Sequence, residues 1–91
     1  MYSIVWRKKA SKYLEKLPKN IQNSIYSAVK LLSTGNRSDR SAMLKGVAPN
    51  LFRIKVGDYR VIYEIRDEVV TIFVIAVGPR GDIYKVLKTL R

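Results

Sequence analysis

The sequence places two basic side chains face to face around residue 57. Side chains on a β-strand alternate between its two faces, and the run Leu51–Val56 (LFRIKV) alternates in this way, which predicts a strand. Gly57 then opens a two-residue turn of the type II′ pattern, which pairs Lys55 with Arg60 on the next strand. Like charges directly opposite each other destabilise a sheet. Their placement here indicates a site for an anion.

A third and a fourth cation are predicted to join this pair. Arg53 shares the strand face of Lys55, and Arg80 follows Gly78-Pro79, which ends a later apolar strand. Positioned cations without a pair of carboxylates suit phosphate chemistry, because they bind phosphate and stabilise charge that develops on it. In RNA the 2′-hydroxyl can attack the adjacent phosphorus. Cleavage then needs a proton acceptor, cations for the phosphorane and a donor for the leaving 5′ oxygen.

Single residues are candidates for these tasks. Neighbouring positive charge favours loss of a proton from lysine, so Lys55 is the candidate general base. Arg60 is expected to hold the phosphate through two hydrogen bonds, and Tyr84 offers a ring on which an unpaired base can stack. Simpler roles stay open at this point. Lys55 can be a solvated strand residue and Tyr84 a packing residue. Arg60 can be an ion-pair partner of Glu64 or Asp82.

The composition favours a polyanion as partner. Eighteen Lys and Arg against seven Asp and Glu give a net charge of +11 and a pI near 10.2, an electrostatic footprint for nucleic acid or an acidic protein. The chain has no cysteine and no histidine, which excludes disulfides, thiolate metal sites and the usual general base. We therefore expect no metal and no other cofactor. Any catalysis must use Lys, Arg, Tyr, Asp or Glu.

The 91 residues predict a single domain over 1–91 with one modest core. No apolar run approaches the roughly 18 residues that a membrane span requires, and no signal-peptide pattern follows Met1. The basic residues are spread along the chain rather than beside one amphipathic helix, which argues against a membrane surface as partner. We expect a cytoplasmic protein.

Periodicity predicts the elements that must position the cations. The expected order is a strand over 2–6, helices over 7–17 and from about Lys19 to Ser33, strands over Leu51–Val56, Tyr59–Arg66 and 69–77, and a short helix from Asp82. A tight turn at Asp67-Glu68 is expected to join the last two strands. This order predicts an α+β fold: a four-stranded, mostly antiparallel sheet with an N-terminal helical hairpin on one face and a short C-terminal helix.

Several short motifs resemble toxins of the RelE/ParE superfamily from bacterial and archaeal toxin–antitoxin pairs. These motifs are LKG at 44–46, LFRIK at 51–55, DYRVIY at 58–63, VGPR at 77–80, IY at 83–84 and the helix between Trp6 and Leu17. The resemblance covers essentially the whole chain and is closest to the RelE branch. It implies a RelE-like, microbial-ribonuclease-like fold.

The resemblance also implies roles for single residues. Lys55 matches the proposed general base of the RelE branch, and Arg60 and Arg80 match arginines that stabilise the phosphate, with Arg80 also a donor to the leaving group. Tyr84 matches a C-terminal tyrosine that orients or stacks on the substrate. Arg53 stands where that branch often carries a second lysine, and since arginine cannot act as a base, only phosphate binding carries over to it.

Lys45 of the LKG motif is assigned with Arg53 to phosphate binding. The implied activity is metal-independent endoribonuclease cleavage of mRNA in the ribosomal A site, which inhibits translation. A histidine that some relatives use is absent, which favours dependence on the ribosome to align the substrate. The implied partners are a cognate antitoxin, acidic or amphipathic, and mRNA on the ribosome, with DNA contacted only through the antitoxin complex.

Two other hypotheses stay open. A ParE-like toxin would inhibit DNA gyrase and cleave nothing itself, since a shared fold does not fix function. The joint presence of Lys55, Arg60, Arg80 and Tyr84 argues against it. An inert relative would only bind its antitoxin or RNA.

Overall fold

The computed structural model describes residues 1–34, 41–43, 51–83 and 85. The elements in chain order are β1 (Ser3–Trp6), α1 (Lys8–Glu15), α2 (Lys19–Ser33), β2 (Ser41–Met43), β3 (Leu51–Val56), β4 (Tyr59–Arg66), a 3-10 helix (Asp67–Val69) and β5 (Thr71–Pro79). The predicted α+β class is confirmed. No helix in these ranges is both long and apolar enough to cross a bilayer.

The strands form one sheet in the order β1-β5-β4-β3-β2. β1 runs parallel to β5 and the other neighbours are antiparallel, so the prediction of a mostly antiparallel sheet is confirmed. The four predicted strands are present, and the short β2 adds a fifth at the edge, beside β3. The sequence reasoning did not predict β2, because three residues are too few to show a strand period.

Both N-terminal helices pack on one face of the sheet. Pro18 precedes α2, which spans Lys19–Ser33 as expected, and the stripe Ile25, Ala28, Val29 and Leu32 is buried. These residues share a core with Ala10 and Leu14 of α1 and with Ile54, Val56, Val61, Tyr63, Ile65, Ile72 and Val74 of the sheet. Because this face of β3 and β4 is covered, the alternate residues of both strands point to the opposite face, called the open face below.

A second, smaller cluster covers part of the open face. Leu51, Ile62, Ala76 and Ile83 are buried together there. Ile83 and Lys85 are helical, in agreement with the predicted C-terminal helix, but Tyr84 and residues 86–91 of that prediction lie outside the described residues. Ile83 is fully buried, so the chain after β5 is fixed against the sheet at this residue.

The connection between β4 and β5 differs from the predicted tight turn at Asp67-Glu68. The chain forms a 3-10 helix over Asp67–Val69, and Val70 follows with a φ of 48°. The amide of Val70 donates to the carbonyl of Asp67, and the Tyr2 hydroxyl donates to the Asp67 carboxylate. β5 therefore starts at Thr71 rather than at residue 69. The hydrogen bond with Tyr2 joins this turn to a distant part of the chain, which the local pattern could not show.

Candidate functional site

Four cations converge on the open face beside the turn between β3 and β4. Arg53, Lys55, Arg60 and Arg80 line an open depression of about 420 Å³ together with Gly81. We call these four cations the turn patch. No carboxylate is among the described residues that line this depression. The structure therefore brings together the four cations whose convergence the sequence predicted.

The turn sets two of these cations side by side. Lys55 pairs with Arg60, and Val56 with Tyr59, in the register expected for a two-residue loop. Gly57 has a φ of +59°, and Asp58 is not among the residues with positive φ, which fits the predicted type II′ turn. The side chain of Lys55 is exposed, whereas Arg60 is only 8% exposed.

The guanidinium of Arg60 is held by the backbone of the turn. Its Nη1 atom donates to the carbonyl oxygen of Gly57 at 3.1 Å and to that of Tyr59 at 2.9 Å. The simpler role of an ion pair with Glu64 is not observed, because Glu64 pairs with Arg66 at 3.0 Å. Neutral carbonyls satisfy the buried donors without cancelling the charge. Arg60 therefore keeps its positive charge available to an anion.

Arg80 reaches the turn patch through the end of β5. Gly78 pairs with Arg60 and Pro79 with Tyr59, so the residue after Pro79 emerges next to the turn. The backbone amide of Arg80 donates to the carbonyl oxygen of Asp58 at 2.9 Å, and its side chain is exposed. This hydrogen bond anchors the main chain of Arg80 beside the guanidinium of Arg60.

Gly78 is a supporting residue that the sequence reasoning missed. A Cβ atom at Gly78 would lie 3.2 Å from Cδ1 of the buried Ile83. A distance of this kind requires the neighbouring side chain to shift. The absence of a side chain at Gly78 thus lets Ile83 pack directly against β5, close to the strand end that carries Arg80. A glycine in a strand before proline signals such close approach.

Tyr13 of α1 lies near the same end of the sheet. Burial raises the pKa of Tyr13 above its ordinary value of 10.0, and the nearby Tyr59 and Asp82 raise it further. Tyr13 is therefore a neutral hydroxyl at physiological pH and carries no charge to the site. Its side chain is half-buried against the core.

Two predicted site residues, Lys45 and Tyr84, lie outside the described residues. Their assignment to phosphate binding and to the substrate stays a prediction.

A second basic region occupies another part of the open face. Arg7, Lys8, Lys9, Glu64 and Arg66 form what we call the open-face cluster; with Leu51 and Ile75 they line a depression of about 510 Å³. The guanidinium carbons of Arg7 and Arg66 lie 5.2 and 5.4 Å from the centre of the Phe73 ring. The sequence reasoning did not single out this region, because its members come from distant positions in the chain.

The fold and the turn patch define a small α+β protein with four cations concentrated in one depression. The family model described as "ParE toxin of type II toxin-antitoxin system, parDE" matches residues 4–84, a range that contains the whole turn patch. The chain belongs to this family, and it is a toxin of the RelE/ParE superfamily. No curated protein matches it in sequence.

Solved structures of RelE toxins are similar to this chain over most of its length. The archaeal RelE–RelB complex from Pyrococcus horikoshii OT3 is 28% identical, with a TM-score of 0.74 over 88% of this chain and 96% of that chain. The isolated E. coli RelE toxin is 26% identical, with a TM-score of 0.77 and 100% of both chains covered. The RelB–RelE complex from Methanococcus jannaschii is 26% identical, with a TM-score of 0.72 over 90% and 96%. The fold is thus RelE-like, as the resemblance implied.

Proposed function

We propose that this toxin is a metal-independent, ribosome-dependent endoribonuclease that cleaves mRNA in the ribosomal A site and so inhibits translation. The observation that carries the proposal is the turn patch. It gathers four cations in one depression, and none of the described residues that line it is acidic. Such an arrangement stabilises negative charge that develops on phosphate during cleavage.

The proposed chemistry is attack of the RNA 2′-hydroxyl on the adjacent phosphorus. Lys55, which is exposed, accepts the 2′-hydroxyl proton when its side chain is the neutral amine. Arg60 and Arg53 hold the non-bridging oxygens of the phosphorane, whose charge exceeds that of the ground-state diester. Arg80 donates a hydrogen bond to the leaving 5′ oxygen, which takes its proton from water because a guanidinium keeps its own. The bond from phosphorus to the 5′ oxygen breaks, which leaves a 2′,3′-cyclic phosphate and a free 5′-hydroxyl. Lys45 and Tyr84 are assigned to phosphate binding and base stacking.

The shape of the site supports dependence on the ribosome. The depression of about 420 Å³ is open and lined by long cations, of which Lys55 and Arg80 are exposed, so it offers charge but few surfaces that orient a nucleotide. Correct alignment of reacting groups is a large part of catalysis, of the order of 7–11 kcal/mol in favourable cases. An mRNA held in the A site would supply this alignment from outside the toxin.

The proposed protein partner is a cognate antitoxin. Two of the similar RelE chains, those from Pyrococcus horikoshii OT3 and Methanococcus jannaschii, are in complexes with RelB antitoxins. The net charge of +11 favours an acidic or amphipathic segment that covers the turn patch and blocks RNA. In this proposal DNA is contacted only through the antitoxin complex.

Inhibition of DNA gyrase is the second candidate, because the matching family model is that of ParE toxins. In that case the toxin would cleave no RNA, and the turn patch would have no catalytic role. Induction of the toxin in cells distinguishes the two candidates: the nuclease gives cut mRNA with loss of translation, and the gyrase inhibitor gives DNA damage with trapped gyrase.

Primer extension tests the proposal. A defined mRNA is incubated with the toxin, with and without assembled ribosomes, and the 5′ ends are mapped. We expect cuts within the A-site codon only when ribosomes are present, and their loss in Lys55→Ala. Intact mRNA on ribosomes, together with trapped gyrase in induced cells, would replace the nuclease with the second candidate.

A further inference from the structure

We propose that Gly57 is a positioning residue, whose left-handed backbone aims the carbonyls of the turn so that they hold Arg60 and Arg80 around one phosphate. The inference rests on the proposed nuclease function and names the element on which the geometry of the site depends. Gly57 touches no substrate in this scheme and acts only through the two arginines.

Three consecutive carbonyls of the turn accept hydrogen bonds from these two arginines. The oxygens of Gly57 and Tyr59 accept from Nη1 of Arg60 at 3.1 and 2.9 Å. The oxygen of Asp58, which lies between them in the chain, accepts from the backbone amide of Arg80 at 2.9 Å. A change in the turn backbone therefore moves a guanidinium and a neighbouring strand end at once.

The reason for a glycine at this position is conformational and not steric. A Cβ atom at Gly57 would meet no heavy atom within 4 Å, so there is space for a side chain. The φ of +59° is the feature that L-residues other than glycine rarely adopt. An L-alanine at this position would favour a different backbone, and the carbonyls would then point elsewhere.

The same hydrogen bonds determine which part of Arg60 can meet the phosphate. Both hydrogens of Nη1 are directed at carbonyl oxygens, so Nε and Nη2 remain to form the two parallel hydrogen bonds that arginine makes to phosphate. The bidentate contact expected from the sequence thus uses one defined edge of the guanidinium. If the turn were lost, the guanidinium of Arg60 would be free to rotate, and its Nε and Nη2 atoms would no longer face the phosphate.

The decisive experiment compares two synthetic proteins that differ in the chirality of one atom. Gly57→Ala is prepared by chemical synthesis with either L-alanine or D-alanine at position 57. D-residues favour positive φ, so the D-alanine protein is expected to keep the turn and to cleave mRNA on ribosomes within about threefold of wild type. The L-alanine protein is expected to lose about 10- to 100-fold in kcat, with a smaller change in KM, because positioned donors act mainly on the transition state. Equal activity of the two proteins would overturn the proposal.

A second measurement separates positioning from general loss of stability. The affinity of both proteins for a non-cleavable 2′-O-methyl RNA oligonucleotide is determined with and without Arg60→Ala, at a temperature where circular dichroism shows all variants folded. If Gly57 acts through Arg60, the difference between the L- and D-alanine proteins should shrink in the Arg60→Ala background. If the affinity difference between the L- and D-alanine proteins is not reduced by Arg60→Ala, Gly57 does not act through Arg60. This binding assay does not require cleavage. If the wild type cleaves no mRNA, the nuclease proposal fails, and the assay still decides whether Gly57 positions Arg60 for anion binding.

Discussion

The turn patch and the open-face cluster are both basic, but they use their cations differently. In the open-face cluster Arg66 pairs with the Glu64 carboxylate at 3.0 Å, and the guanidinium groups of Arg66 and Arg7 both lie over the Phe73 ring. In the turn patch Arg60 donates to neutral carbonyls, and no described carboxylate lines the depression. Arg66 thus has its charge paired within the protein, whereas Arg60 keeps its charge unpaired by any described carboxylate.

This difference shows why a net charge of +11 does not by itself locate a site. A cation whose partner is a carboxylate contributes little field to its surroundings. A cation held by carbonyl dipoles is fixed in position and keeps its full charge, which is the preorganisation that phosphate chemistry requires. The partners of a cation therefore indicate a binding site better than the presence of the cation alone.

The largest expected effect compares one arginine from each region. Arg80→Ala should lower kcat for mRNA cleavage on ribosomes by about 10²- to 10³-fold, the usual cost of removing one transition-state donor. Arg66→Ala, the matched control, should stay within about threefold, since surface pairs contribute only about 0–1 kcal/mol to stability. Single-turnover kinetics measure both. Comparable losses in the two variants would remove the distinction between the regions.

The packing between the two regions should matter for stability. Ile83 is fully buried against Leu51, which lines the open-face depression, and against β5 beneath the turn patch. Ile83→Ala should lower the free energy of unfolding by about 2–5 kcal/mol, because it leaves a cavity.

Urea denaturation measures this change, with Val5→Ala as the control. Val5 is 42% exposed on the open face, so its truncation should cost far less. Similar values for both variants would show that Ile83 does not anchor the chain after β5.

A charge reversal at Lys55 should separate stability from activity. Lys55 faces Arg60 across the hairpin, so Lys55→Glu replaces a repulsive pair with an attractive one. We expect a gain of roughly 0.2–1 kcal/mol in the free energy of unfolding, together with loss of cleavage.

Lys55→Gln is the control, because it removes the repulsion without adding a carboxylate. Its stability should fall between those of wild type and Lys55→Glu. A less stable Lys55→Glu protein would mean that the two side chains do not interact across the strands.

The smallest expected effect is in the salt dependence of RNA binding. Each phosphate contact to single-stranded RNA contributes about 0.7 to the slope of log K against log salt. Arg80→Ala should reduce the slope by about this amount, whereas Arg7→Ala in the open-face cluster should leave it unchanged. Titrations of the 2′-O-methyl oligonucleotide at several salt concentrations give both slopes. An equal reduction in Arg7→Ala would extend the RNA site over the open-face cluster.

Much of the candidate site could be predicted because its determinants are local. The alternation of Leu51–Val56 and the glycine at 57 set the pairing of Lys55 with Arg60, and Pro79 ends the strand that delivers Arg80. The α2 boundaries Lys19–Ser33 also follow from local signals, namely Pro18 before the helix and the period of its apolar stripe. The roles of Lys45 and Tyr84 rest on the resemblance alone and stay predictions.

Local pattern and turn chemistry in the sequence thus determined the α+β class, the hairpin register and the gathering of four cations. Only the tertiary structure decided the partners of the basic side chains. In the structure Arg66 contacts Glu64 and Phe73, and Arg60 donates to the turn carbonyls. The short β2 pairs with β3 at the edge of the sheet, and Tyr2 donates to Asp67 in the turn at Asp67–Val69. The physical reason is that a periodicity reports which face a residue occupies. The choice among hydrogen-bond partners depends on side-chain conformation, even between near neighbours such as Arg66 and Glu64, and for Tyr2 and Asp67 on the approach of segments far apart in the chain.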